Sequence, residues 1–293
     1  MGHDKHEGYT VRPPTLRFWN DSERLVLTSF TVSDFVEFNM EPDGLNGVQA
    51  KEFVRDGEGT AWLLKSGALG DSDTARPSPR EERSRRAAFP VHEAIVALLL
   101  QSVGVCVSDV DLAFRTLQPV GEPEPLRLLV SVHRLVHGRR RDKAGDFQPS
   151  AAFSEDLFVT LCMNIVVGQR DHQLHNYLVD SHDRFVVIDN SACMYDDWLT
   201  NELTSRHFDD VSSLEPLDRG WPAALMERVQ RRFEPLTEAV VNTAFTAVPT
   251  EAVAWHDAAA GIGYYAPGTI AQKQARVGKN VKALRRWAGL DSV

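Results

Sequence analysis

Residues 168–190 read GQRDHQLHNYLVDSHDRFVVIDN. Taken alone, the opening loop supports three readings: a catalytic base at Asp171, metal ligation by His172 and His175, or a solvated polar turn. A zinc site would want further ligands at fixed spacing, such as a Cys pair, and no Cys pair lies near these two histidines. The rest of the stretch separates the readings. Asn176 follows Asp171 by five positions, and Asp189 follows Asn176 by thirteen, at the end of VVIDN. NYLVDSHDRFVVIDN reads as a hairpin with a polar turn at Asp180 to Asp183, which would fold Asp189 back beside Asn176. One carboxylate could then accept a proton while the Asn amide oxygen and the second carboxylate bind a metal.

Upstream of this stretch, SEDLFVTLCMNIVVG reads as a buried helix opening at Ser154 and Glu155, and HGRRRDKAGDFQP as a polar linker. Before the linker the chain is β-rich. LVLTSFTV at 25–32 is strand-like, and EFVRDGEGTAWLLK at 52–65 reads as a hairpin turning at Asp56 to Gly59. DVDLAFRTL and LRLLVSVHRLV are two further strands. One helix interrupts them: Pro90 opens the apolar run VHEAIVALLLQSVG, with Gly104 as its stop. Residues 66–88 are rich in Ser, Pro and charge and read as an exposed mobile loop. Its arginines suit a solvated surface or a docking or autophosphorylation site. From about 211 onward the apolar spacing favours helices, ending in the basic amphipathic KNVKALRRWAGL.

Composition bounds the function classes. A net charge of −9 argues against bulk nucleic-acid binding. Three dispersed cysteines without a CxxC pair suit a reducing compartment. The first forty residues are polar where a signal peptide needs an apolar run, and AIVALLL and LCMNIVV are too short to span a bilayer. The expectation is a soluble, cytoplasmic protein.

A β-rich half followed by Asp, Asn and Asp suits phosphoryl transfer from ATP. That chemistry needs hard oxygen ligands for Mg²⁺, a group to position the attacking hydroxyl and a cation on the phosphates. Lys65 ends the strand WLLK, and Glu93 lies in the following helix as a candidate ion-pair partner. The bland alternatives are a snorkelling strand-end lysine and a solvated Glu favouring the helix dipole.

With these residues in place, the chain resembles the protein-kinase-like superfamily, in the branch of HipA-type serine/threonine kinases and phosphatidylinositol kinases. GLNGVQAKEFVRDGEGTAWLLK is similar to the HipA-type G-x-Q-x-K turn and lysine strand. NIVVGQRDHQLHNYLV resembles that group's catalytic loop, and VVIDN the phosphatidylinositol-kinase metal motif. The matching pieces span roughly 44–195. Two departures stand out: His172 follows Asp171 directly instead of two residues later, and there is no GxGxxG.

The resemblance implies an α+β, two-lobed protein-kinase-like fold, with a β-rich N-lobe over 41–135 and a mainly helical C-lobe over 136–293. Residues 1–40 would be an extension of unassigned role. It implies ATP and Mg²⁺ as cofactors, with Asp171 as base, Lys65 on the phosphates and Glu93 positioning Lys65. Asn176 and Asp189 would hold Mg²⁺. Gly44, Gly47 and Gln49 would cover the phosphates, and Val130, Val132 and His133 would meet adenine at the hinge. The leading expectation is a serine/threonine protein kinase with a protein substrate, and with the regulatory partner and toxin–antitoxin setting of HipA-type proteins. A lipid-headgroup or metabolite kinase and a catalytically silent nucleotide-binding module are the alternatives.

Overall fold

The computed structural model describes residues 18–19, 28–29, 50–55, 60–66, 89–117, 126–136, 138–140, 150–169, 176–180, 182–190, 193–194, 198, 203–209, 211, 223–260 and 268–292. Six strands form the first sheet: β1 (Phe18–Trp19), β2 (Thr28–Ser29), β3 (Ala50–Arg55), β4 (Ala61–Ser66), β5 (Val110–Leu117) and β6 (Leu126–Arg134). Their spatial order is β1-β5-β6-β4-β3-β2, antiparallel apart from the β1–β5 edge. The expected hairpin is β3–β4, with Phe53 opposite Leu63 and Lys51 opposite Lys65. Its turn at 56–59 lies outside the described residues, and of the run at 25–32 only β2 is described.

Helix α1 (Phe89–Ser102) is apolar all round, and a helix of that kind must be covered on every side. Every residue from Pro90 to Leu100 is buried. One flank of α1 packs on β4, β5 and β6. The helix stops as expected at Gly104, whose positive φ of 74° turns the chain so that the Val105 N–H reaches back to the Leu100 carbonyl at 3.1 Å.

β7 (Gly138–Arg140) comes from the stretch read as a linker. It pairs with β8 (Tyr177–Asp180), which pairs with β9 (Phe185–Val187) in a second, three-stranded sheet. Gly138 permits this pairing: a Cβ there would sit 2.9 Å from the Val179 carbonyl oxygen. Periodicity could not show this strand, because three residues are too few for a pattern.

Between β7 and β8 runs α2 (Ala151–Val167), which starts earlier than expected. Ser150 is its N-cap, accepting the Phe153 N–H at 3.1 Å, so Ser154 and Glu155 lie inside the first turns. The remaining helices are α3 (Ser205–Asp209), α4 (Ala223–Arg232), α5 (Glu238–Thr246), α6 (Thr250–Ala260) and α7 (Ile270–Trp287). Thr269 and Gln272 close a capping box at the start of α7.

The molecule is thus α+β, with a β-rich part followed by a mostly helical part. The main hydrophobic core runs from β5 and β6 through α1 and α2 into α4, α5 and α7. A smaller cluster of Val54, Leu64, Ala113, Val130 and Val132 packs separately. None of the described helices is long and apolar enough to cross a membrane.

Candidate active site

β4 and α1 bring the two upstream candidates together. Lys65 sits next to the end of β4 and Glu93 in the second turn of α1, both buried. Lys65 Nζ lies 2.9 Å from Glu93 Oε1 and 3.6 Å from Asp189 Oδ1, and donates to the Ile188 carbonyl at 3.3 Å. The snorkelling lysine and the solvated glutamate are both excluded by burial.

The second Glu93 oxygen is also engaged. Ser131 donates its hydroxyl to Glu93 Oε2, and His133 Nε2 lies 2.9 Å from the same atom and 3.0 Å from the Ser131 Oγ. Burial and the Lys65 charge hold the His133 pKa below its ordinary value, against the pull of Glu93. A neutral imidazole facing a carboxylate carries its proton on Nε2. For Glu93, burial alone would favour the neutral acid, but Lys65, His133 and Ser131 outweigh it and hold the carboxyl well below the usual range. Burial likewise opposes the charge on Lys65, and Asp189 with Glu93 reverses the effect, raising its pKa. Lys65 is therefore a permanent ammonium.

Asp189 reaches this cluster through the expected hairpin. Asp180 builds its turn by accepting from the His182 and Arg184 backbone N–H groups at 2.8 and 2.9 Å. Beyond β9 the ladder continues, with the Ile188 N–H on the Asn176 carbonyl at 3.1 Å. Asn176 and Asp189 are thus neighbours across the hairpin, Asn176 buried and the Asp189 side chain 27% exposed. Gln169 donates to the Asp189 carbonyl at 3.3 Å, and Met194 N–H to the Val167 carbonyl at 2.9 Å, so the chain around Asp189 is tied to the end of α2. Gly168 ends that helix at φ 64°, and a Cβ there would fall 2.2 Å from the Trp198 ring.

β9 is also stitched to the segment after α1. Val187 N–H donates to the Cys106 carbonyl at 3.0 Å, and Ser108 N–H to the Val187 carbonyl at 3.3 Å. This seam aligns the strand that leads to Asp189 with the helix that carries Glu93.

Asp171, His172, His175, Gly44, Gly47 and Gln49 lie outside the described residues. Val130 and Val132 point into the smaller apolar cluster, whereas the His133 side chain is committed to Glu93. At these positions β6 is paired with β4 on one side and β5 on the other. Ser131 was missed. Its signal was the polar i, i+2 pair Ser131/His133 in an apolar strand, which puts both side chains on one face.

The donor set fits a magnesium–nucleotide. Mg²⁺ takes few protein oxygens and completes its shell with phosphate and water, so a partly exposed carboxylate, Asp189, with a neighbouring amide, Asn176, would suffice. Among the described residues, no group of three or more His, Cys, Asp and Glu side chains is placed to hold a metal by itself.

No protein-family model matches the chain, and no curated protein matches it. Among solved structures, it is similar to the Rio2 kinase–ADP/Mg²⁺–phosphoaspartate complex from Chaetomium thermophilum, with 16% identity and a TM-score of 0.37 over 83% of this chain. The chain spans 62% of that kinase's length. It is also similar to an apo pseudokinase, with 10% identity and a TM-score of 0.34, covering 91% of this chain and 97% of the other.

Proposed function

We propose that this protein is an ATP- and Mg²⁺-dependent phosphotransferase. The observation that carries the reading is the arrangement around Lys65: a buried, permanently charged ammonium between an inner carboxylate, Glu93, and an outer, partly exposed one, Asp189. A structural ion pair needs only the first carboxylate. The second faces outward, where a divalent cation and a polyphosphate would balance the remaining charge.

In this reading Lys65 orients the α- and β-phosphates, and Glu93 fixes Lys65. Ser131 and His133 fix Glu93 in turn. Asn176 and Asp189 supply oxygens to Mg²⁺, and Asp171 accepts the proton of the attacking hydroxyl. The bound magnesium–nucleotide supplies the transferable phosphoryl group and neutralises its developing charge. Backbone groups of β6 and the residue after it are used by their neighbours as far as the Leu135 N–H, which donates to the Ala61 carbonyl at 3.0 Å, so an adenine-reading edge would begin past the expected Val130–His133 stretch, near Val136. The acceptor we infer is a serine or threonine hydroxyl on a protein, in line with the HipA-type resemblance of residues 44–65.

The test is a thermal-shift titration with Mg-ATP, then incubation with labelled ATP and a protein extract. Wild type should be stabilised and should transfer label to protein, and Asp189→Ala should lose both. Unchanged stabilisation and transfer in Asp189→Ala would remove the metal role. ATP binding without label on any acceptor, itself included, would instead favour a silent nucleotide-binding module. Label appearing in lipid or metabolite fractions would redirect the acceptor.

A further inference from the structure

A second buried polar residue, His92, immediately precedes Glu93 on α1. Consecutive side chains on a helix diverge by about 100°, so His92 points to another flank, toward α6 and α7. There Lys273 Nζ lies 2.8 Å from His92 Nε2 and 3.2 Å from His256 Nε2, and the two Nε2 atoms are 3.0 Å apart. All three residues have no exposed surface. His256 Nδ1 lies 2.9 Å from Asp257 Oδ1, which also accepts the N–H of Ile270, the first residue of α7, at 2.8 Å.

The partners dictate where the protons sit. Asp257 only accepts, so His256 carries its proton on Nδ1 and presents a lone pair at Nε2. An ammonium only donates. Both imidazoles therefore aim lone pairs at one Lys273 ammonium, which explains how two Nε2 atoms come so close. Burial and then the Lys273 charge push the His256 pKa down to about 4, against the Asp257 carboxylate. Burial, Lys273 and His256 push His92 well below its usual value, opposed by the backbone at Cys193. Both rings are neutral, as an ammonium clasp requires.

An apolar side chain of similar volume would fill this space without desolvating a charge, so packing alone does not call for a lysine. Position does. Glu93 anchors one flank of α1, and the apolar contacts that cover the rest of the helix are non-directional, so they tolerate small rotations about its axis. A second, directional anchor about 100° away removes that freedom.

We propose that His92, His256 and Lys273 form a positioning clamp that sets the rotation of α1 and so keeps Glu93 on Lys65. The clamp rests on the phosphotransferase reading for its purpose, and its geometry can be tested apart from it. The full-length protein is treated briefly with acetic anhydride under native conditions, and acylation of Lys65 is read by mass spectrometry without nucleotide. Mg-ATP affinity is measured in parallel. Lys273→Met should expose Lys65, raising its labelling about tenfold and weakening Mg-ATP to a similar degree.

Arg285→Met is the matched control. It lies on the same helix as Lys273 and removes contacts to the Phe233, Glu234 and Leu236 carbonyls and to Asp291, past the helix end. It should lower the melting temperature and leave Lys65 protected. If Lys273→Met does not fold, His256→Leu should expose Lys65, whereas His256→Gln, which keeps an acceptor for the ammonium, should protect it. Lys65 protection equal to wild type in both Lys273→Met and His256→Leu overturns the clamp, as does a stoichiometric transition metal in the purified protein. Failure of wild type to bind Mg-ATP counts against the nucleotide reading alone, since the labelling pattern still decides the clamp.

Discussion

Helix α1 separates two buried polar clusters that differ in one respect. The cluster around Lys65 opens at its rim, where Asp189 meets solvent, and it contains more carboxylates than ammonium groups. The cluster around Lys273 is fully buried, and among the described residues two neutral imidazoles face the ammonium, with Asp257 reached through His256. A charged site with an open edge is suited to a ligand that arrives and leaves. A closed one is suited to holding elements in place, because nothing can enter to compete for its donors. In the proposed reading, the contrast separates chemistry from alignment on two flanks of one helix.

Mutation should break the two clusters differently. The largest effect is expected at Glu93→Ala, which leaves Lys65 and His133 without their shared buried carboxylate. A loss of about 3–5 kcal/mol in urea unfolding is expected, and a loss under about 1 kcal/mol would show that water enters the cluster freely. Next comes Lys65→Met in the labelled-ATP assay, where transfer should fall by roughly 10²–10³-fold, as for removal of one preorganised donor. Transfer at the wild-type rate would reduce the open cluster to a structural one.

The closed cluster should reveal itself through acid. His256 has a folded pKa of about 4, below the ~6.5 of an unfolded histidine. Between these values the unfolded chain binds more protons, so stability is complete above about pH 6.5 and declines as pH falls toward 4, by on the order of 1–3 kcal/mol. The groups facing His256 are His92, Lys273 and Asp257, and His256→Gln should flatten the slope of stability against pH in this window. A slope unchanged by the substitution would place the titration elsewhere. The smallest effect is reserved for exposed charge. Lys282 and Glu238 pair at 3.0 Å on the surface, and Lys282→Ala should change the urea midpoint by less than about 0.5 kcal/mol.

Much of the open cluster was legible in the sequence because its signals are local. A lysine ending an apolar strand, a glutamate near the start of an apolar helix and an Asn-hairpin-Asp spacing each constrain geometry within one or two elements. Lys65, Glu93 and Asp189 converge as that reading expected, and Asn176 lies beside Asp189 across the hairpin. Ser131 and His133 were harder, since their meaning depends on which strand lies beside β4. The non-sequential β6–β4 pairing decides that. The clamp was not legible at all: His92 and Lys273 are 181 positions apart, and no pattern within either helix predicts that their flanks will meet. β7 escaped notice for the opposite reason, being a strand too short to carry a period.

The main-chain seam between residues 106–108 and Val187 has a consequence for motion. Backbone atoms form it, so ordinary side-chain substitutions at Cys106, Val107 or Ser108 leave it intact, whereas proline at 108 would remove one of its two donors. It joins the strand approaching Asp189 to the turn just past α1. Val107, paired with Val187 at its centre, therefore ties any shift of α1 to a shift of the strand that carries Asp189.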